Sequence, residues 1–250
     1  MKSFSMTDIG RKRTMNQDYV FCEENEVGNL PNLFIVADGM GGHRAGDYAS
    51  RFCVETFVDL AEREREHEPV TIIDKCIKKA NKKLYEQTRS HPDLAGAGTT
   101  MVLGTIYDGT MYVANVGDSR LYVLHPKAAH DLTGPCVMKQ ITEDHSLVEM
   151  MVRTGEIKRE DARNHPNKNV ITRALGAGED VEVDYFEVDV TEGDLVLLCS
   201  DGLTNMVEDE DIMQIIRDNG DLISRTTKEL IKAANRNGGK DNIGIVLVRL

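Results

Sequence analysis

Short apolar runs rich in β-branched residues, each ending at a turn residue, occupy positions 33–37, 101–106, 111–116, 121–124, 195–199 and 243–248. Runs of this length and composition predict strands. Asp108-Gly109 parts two of them and Gly117-Asp118-Ser119 parts the next two, which predicts consecutive antiparallel hairpins and a local meander. Elsewhere the period changes to that of a helix. Ala49, Phe52, Cys53, Thr56, Phe57 and Leu60 form one apolar stripe, and Ile73, Cys76, Ile77, Ala80 and Leu84 form a second. The charged stretch 62–68 makes the polar end of the first helix and its turn, and Pro69 precedes the second. Helical patterns at 209–217 and 222–234 are followed by the last strand run. Between 146 and 169 lies a polar, Met-dotted stretch with helical hints at Leu147, Met150 and Met151 and a break at His165-Pro166, an excursion from the core. Strands grouped around paired helices, rather than alternating one for one, predict an α+β fold with antiparallel sheet. No repeat, low-complexity tract or Pro/Ser-rich linker divides the chain, so one domain over residues 1–250 is expected.

Composition adds constraints rather than a fold. Of 250 residues, 30 are Lys or Arg and 42 are Asp or Glu, a net charge of −12, which argues against a general nucleic-acid binder. The first residues carry no apolar signal core, and no apolar run approaches the roughly 20 residues that a bilayer span needs; neither secretion nor membrane insertion is expected. Cys22, Cys53, Cys76, Cys136 and Cys199 are odd in number, contain no C-x-x-C pair and sit mostly in apolar runs. Such thiols fit a reducing cytoplasm.

Several common catalytic motifs are absent from the sequence: the phosphate-binding P-loop, the G-x-S-x-G elbow, the H-E-x-x-H zinc helix and G-x-G-x-x-G after a strand. What stands out is aspartate at strand margins. Asp38, Asp118 and Asp201 follow predicted strands, and Asp18 and Asp241 precede them. Singly, an Asp-Gly after a strand is a turn. Together at the edge of a packed core, such carboxylates would repel and lose hydration, which is tolerable only with a cation present. Oxygen-only ligands point to Mg²⁺ or Mn²⁺ rather than zinc. Gly39 and Gly202 would let backbone approach the ion, and the Gly39 carbonyl is itself a candidate ligand. Two such ions would orient a water for attack on phosphorus or carbon. Arg13, five residues before Asp18, can grip two phosphate oxygens, or is an ordinary surface arginine beside Arg11 and Lys12. His43, in the loop after Asp38-Gly39-Met40, suits a general acid, with a polar helix-start residue as the rival role. His145 reads as a cap or brace for the next helix.

These residues resemble one family, the metal-dependent Ser/Thr protein phosphatases of the PPM, or type 2C, class in their compact bacterial form. The resemblance runs through Thr7-Asp8-Ile9-Gly10-Arg11-Lys12-Arg13, Asn16-Gln17-Asp18, Val36-Ala37-Asp38-Gly39-Met40-Gly41-Gly42-His43 and Gly98-Thr99-Thr100. It continues through Asn115-Val116-Gly117-Asp118-Ser119-Arg120, Ile171-Thr172-Arg173-Ala174-Leu175-Gly176, Cys199-Ser200-Asp201-Gly202-Leu203 and Asp241-Asn242. It implies a central antiparallel β-sandwich flanked on each side by paired helices, a four-layer αββα arrangement, with a flap subdomain at about 146–170. By the same resemblance, Asp38, Asp201 and Asp241 hold one metal and Asp38 with the Gly39 carbonyl the other. Asp118, with Asp201, holds a third, and Asp18 ligates through water. Arg13 matches the family's phosphate-binding arginine.

The implied activity is hydrolysis of phosphoserine and phosphothreonine in proteins by a water activated at a binuclear Mn²⁺/Mg²⁺ centre. Phosphorylated proteins are then the partners, with an opposing eukaryotic-like Ser/Thr kinase expected among them, and monomer is the default state. Gln17 and Met40 depart from the eukaryotic pattern, which has a metal-ligating Glu and a general-acid His at those positions. Two other functions use the same residues differently. A non-catalytic phosphoprotein-binding module would be expected to lose metal ligands, whereas a small-phosphoester hydrolase would keep them and differ in substrate preference.

Overall fold

Strands buried on both faces need no polar alternation, so they show as unbroken apolar runs; this is how the centre of the fold is built. The computed structural model describes residues 1–42, 45–127, 131–134 and 136–250. In chain order its first half comprises β1 (Lys2–Asp8), β2 (Asp18–Glu23), β3 (Leu33–Met40), α1 (Ala45–Arg63), α2 (Pro69–Ser90), β4 (Gly98–Thr99), β5 (Met101–Tyr107) and β6 (Thr110–Val116). The second half adds β7 (Arg120–Pro126), β8 (Cys136–Gln140), α3 (Leu147–Arg153), α4 (Arg159–Ala162), β9 (Asp184–Asp189), β10 (Leu195–Cys199), α5 (Asp201–Thr204), α6 (Asp209–Asn219), α7 (Ile223–Arg236) and β11 (Ile243–Arg249).

Two antiparallel sheets result. One runs β1-β11-β10-β7-β8, and the other β2-β3-β5-β6-β9 with the short β4 beside β3. Successive residues of β3 show the layering. Phe34 and Val36 enter an inter-sheet core with Val196, Leu198, Val246 and Val248. Leu33, Ile35 and Ala37 face Phe57, Ile73 and Ile77 of α1 and α2. On the opposite face Leu195, Leu197, Ile245 and Leu247 pack against Ile212, Ile216, Leu230 and Ile231 of α6 and α7. The four-layer αββα order expected from the family resemblance is therefore present.

Two details differ from the sequence reading. The Asp108-Gly109 hairpin joins β5 to β6 as expected, but β6 and β7 lie in different sheets. The meander stops at Gly117, whose φ of +112° and close approach to Thr100 let the chain cross between layers. Pro69 is the first residue of α2 rather than its predecessor; the Glu68 carboxylate caps the helix by accepting from the amides of Val70 and Thr71. The excursion after residue 146 carries α3 and α4, and its two feet meet at a bridge between Ser146 and Ile171.

Candidate active site

Antiparallel neighbours bring the end of one strand beside the start of the next, so strand-margin residues far apart in sequence gather at one end of the sandwich. Asp18 opens β2 directly across from Asp38 near the end of β3. Asp201 follows β10, Asp241 precedes β11, and β10 and β11 are paired. Asp118 stands in the crossing after β6. The result is a cavity of about 210 Å³ whose walls include Arg13, Asp38, Gly39, Asp118, Asp201 and Asp241. Asp18 lies behind it, buried, with the Ser200 hydroxyl donating to its Oδ2 at 2.6 Å.

Neighbouring polar groups lock this end in place. The Asp38 amide donates to Thr100 Oγ1 at 2.9 Å, and Thr100 N donates back to the Asp38 carbonyl. Ser200 receives the Gly244 amide on its hydroxyl. Asn242 holds the Arg13 loop by accepting from Gln17 N and donating to the carbonyls of Ile9 and Met15. Gly39 has to be glycine, since a Cβ there would stand 2.0 Å from the Gly46 carbonyl oxygen.

The electrostatics are strained in one direction. Asp18 is pushed up to about 7, first by burial and then by the charges of Asp201 and Asp241. Asp201 is pushed up to about 6 by burial and by Asp241. Asp38 and Asp118 are held well above the usual carboxylate range, again by burial first; Asp18 and Asp201 then act on Asp38, and Asp201 and Asp144 on Asp118. Asp38 and Asp201 are only half-buried by exposed area, yet enough protein surrounds them for desolvation to dominate. The Arg13 guanidinium donates to Asp241 Oδ2 at 2.7 Å, which stabilises its own charge.

A divalent cation fits this donor set. Asp18 Oδ1 and Asp201 Oδ1 are buried without a hydrogen-bond partner, the side-chain donors are all carboxylate oxygens, and a dication would offset the burial and the mutual repulsion that raise their pKa values. Among the described residues no three His, Cys, Asp or Glu side chains already stand in a ready coordination geometry. Here Asp241 is turned to Arg13, Asp201 to Asn205 and Asp18 to Ser200.

Of the residues singled out in the sequence, Arg13, Asp38, Gly39, Asp118, Asp201 and Asp241 share the cavity and Asp18 backs it; His43 lies outside the described residues. Met40 lines the cavity. His145 braces rather than caps. Its buried ring accepts from Gly117 N on Nδ1 at 3.1 Å and donates from Nε2 to Asp184 at 3.0 Å, and the cap of α3 is Ser146. The polar supports Thr100, Ser200, Asn205 and Asn242 went unread as functional. Three of them, Ser200, Asn242 and Thr100, stood inside the quoted motifs, next to or near the aspartates they serve.

An end-on cluster of carboxylates beside an arginine, on an αββα sandwich, fits a metal-dependent phosphoester hydrolase. Residues 9–243 match the family model for protein phosphatase 2C, and the chain belongs to that family. It is 44% identical over 246 residues to the serine/threonine phosphatase stp of Listeria monocytogenes, covering 97% of this chain and 93% of that one. The crystal structure of the phosphatase Stp1 from Staphylococcus aureus superposes with a TM-score of 0.88 at 33% identity, covering 100% of this chain and 94% of that one. The catalytic domain of the phosphatase PstP in complex with two manganese ions gives a TM-score of 0.82 at 30% identity, covering 98% and 96%. The chain is a metal-dependent serine/threonine protein phosphatase acting on phosphoproteins.

Proposed function

We propose that the carboxylate cavity is a binuclear Mn²⁺/Mg²⁺ centre. Asp38, Asp201 and Asp241 would hold one ion, Asp38 with the Gly39 carbonyl a second, and Asp118 with Asp201 a third, weaker one. Asp18 acts from behind through water. The observation that carries this reading is the pair of buried, unpartnered oxygens on Asp18 and Asp201 within a cluster whose charges repel. Bound there, the ions would supply Lewis acidity and a water of lowered pKa.

The chain's own residues do the rest. Arg13 leaves Asp241 and grips two phosphate oxygens with its guanidinium fork. Thr100 holds the Asp38 backbone and Ser200 the Asp18 carboxylate, so little reorganisation is needed as charge develops on phosphorus. Water displaces the serine or threonine oxygen directly, with no covalent enzyme intermediate. Assignment of the proton donor for the leaving oxygen to His43 rests on its sequence position.

Residues 1–250 form one phosphatase domain in this reading, with residues 146–170 as a flap that helps select substrate. Phosphoserine and phosphothreonine must be supplied by a kinase, so a eukaryotic-like Ser/Thr kinase is the opposing partner. Free cysteines fit a reducing cytoplasm, and monomer is the default state. The test is phosphate release from a phosphothreonine peptide with and without Mn²⁺. Release that needs Mn²⁺ and falls more than about a hundredfold in both Asp38→Ala and Asp241→Ala supports the centre, since loss of even an outer partner costs roughly 10–100-fold. Full activity in either variant would refute the assignment.

A further inference from the structure

We propose that Asn205 is a positioning residue that aims Asp201 and ties the flap to it, an inference that rests on reading Asp201 as a cation ligand. Asn205 follows α5 four residues after Asp201, so one helical turn returns its amide to the carboxylate. Its Nδ2 donates to Asp201 Oδ2 at 2.7 Å, while Asp201 Oδ1 is buried with no protein partner. The carboxylate is thus fixed by one oxygen and left open on the other.

The second half of the amide faces the flap. Asn205 Oδ1 accepts from Lys168 Nζ at 3.4 Å, and Lys168 lies three residues before the flap's closing foot at Ile171. A neutral amide is the side chain that gives an N–H to a carboxylate and a carbonyl to an ammonium from one planar head. Aspartate at this position would set two carboxylates face to face, and leucine would leave both partners unserved. Arg163, just after α4, adds a second clasp across the same groove through Glu208 at 2.7 Å. That groove, of about 860 Å³, shares Asp118 and Asp201 with the carboxylate cavity. Any movement of Asp201 on binding a cation is therefore transmitted to the flap, and by linkage flap closure acts back on cation affinity.

The test uses the full chain stripped of metal, with Mn²⁺ affinity read by calorimetry and amide exchange read over residues 146–170 with and without Mn²⁺. For Asn205→Leu we expect Mn²⁺ affinity at the site built on Asp201 to fall about tenfold or more, and flap exchange to quicken several-fold. Asn205→Ser removes the amide without adding bulk and carries the same expectation, so a misfolded Leu variant does not remove the test. Lys168→Met should quicken flap exchange and lower Mn²⁺ affinity less than either Asn205 variant does, because the aiming bond to Asp201 remains while the linkage to the flap is lost; Lys168→Arg should restore flap protection. Asp201→Asn is the control. If it binds Mn²⁺ as the wild type does, the ligand reading falls and this proposal with it. If Asp201→Asn loses Mn²⁺ while both Asn205 variants match wild type in affinity and flap exchange, the ligand reading stands and the positioning role is overturned. Unchanged flap exchange in Lys168→Met would overturn the tether.

Discussion

The carboxylate cavity and the groove beneath the flap share a wall but differ in how far their carboxylates are paired. In the groove four arginines each meet a carboxylate, Arg120 with Asp144, Arg153 with Glu143, Arg159 with Glu149 and Arg163 with Glu208, while Glu160, Asp209 and Glu210 add further acid to its lining. In the cavity Asp38, Asp118, Asp201 and Asp241, with Asp18 behind them, share one lining arginine, Arg13, which satisfies only Asp241 directly. Carboxylates paired in this way need little from outside, whereas an unpaired cluster calls for a ligand of the missing sign.

The sharpest break of this contrast lies at the groove floor. Arg120 is largely buried and grips Asp144 with Nε at 2.9 Å and Nη2 at 2.7 Å, while its Nη1 reaches the Tyr122 hydroxyl at 3.0 Å. Arg120→Ala would leave a half-buried carboxylate with Gln140 Nε2 as its remaining side-chain donor, so we expect a loss of about 3 kcal/mol, the lower end for a broken buried pair, read as a lowered denaturant midpoint. A loss below about 1 kcal/mol would mean the pair behaves as a surface contact. Arg13→Ala, next in size, should lower kcat/KM by roughly ten- to a hundredfold through lost charged hydrogen bonds to phosphate. Arg13→Lys should recover little of it, because a point charge cannot reproduce the fork; steady-state kinetics on a phosphothreonine peptide decides.

Acidity tests the cavity's missing charge more gently. Asp18 and Asp201 titrate near 7 and 6 in the fold against a usual value of 3.8. Proton uptake therefore stabilises the metal-free fold, fully below about pH 4 and progressively less as pH rises through 6 and 7. Between pH 5 and pH 8 the melting temperature of the stripped protein should fall by roughly 5 °C. Saturating Mn²⁺ should reverse the slope, since a cation selects the deprotonated carboxylates. A stripped protein that grows more stable over that interval would contradict the repulsion described. The smallest effect belongs to the exposed clasp: Glu208→Gln should change stability by less than about 1 kcal/mol in a thermal melt.

Much of the site was legible because strands buried on both faces leave unbroken apolar runs, and an aspartate closing such a run is conspicuous. Asp38 after 33–37 and Asp201 after 195–199 are of this kind. The outer strands were harder. β1, β8 and β9 sit at sheet edges with one face partly exposed, and segments such as Asp184–Asp189 alternate too weakly to stand out. The switch of sheets at Gly117 is invisible locally, because a glycine turn between two strands looks the same whether they pair or part. Asn205 was unreadable for another reason: its role depends on Lys168, which only the folded flap brings near.

The account turns on Asp38 as the shared carboxylate of two cations. Calorimetric titration of Mn²⁺ into the metal-stripped wild type and Asp38→Asn tests this directly. The account predicts at least two binding events in the wild type and loss of both tight ones in the variant. An Asp38→Asn protein that still takes up two Mn²⁺ with wild-type affinity would contradict it.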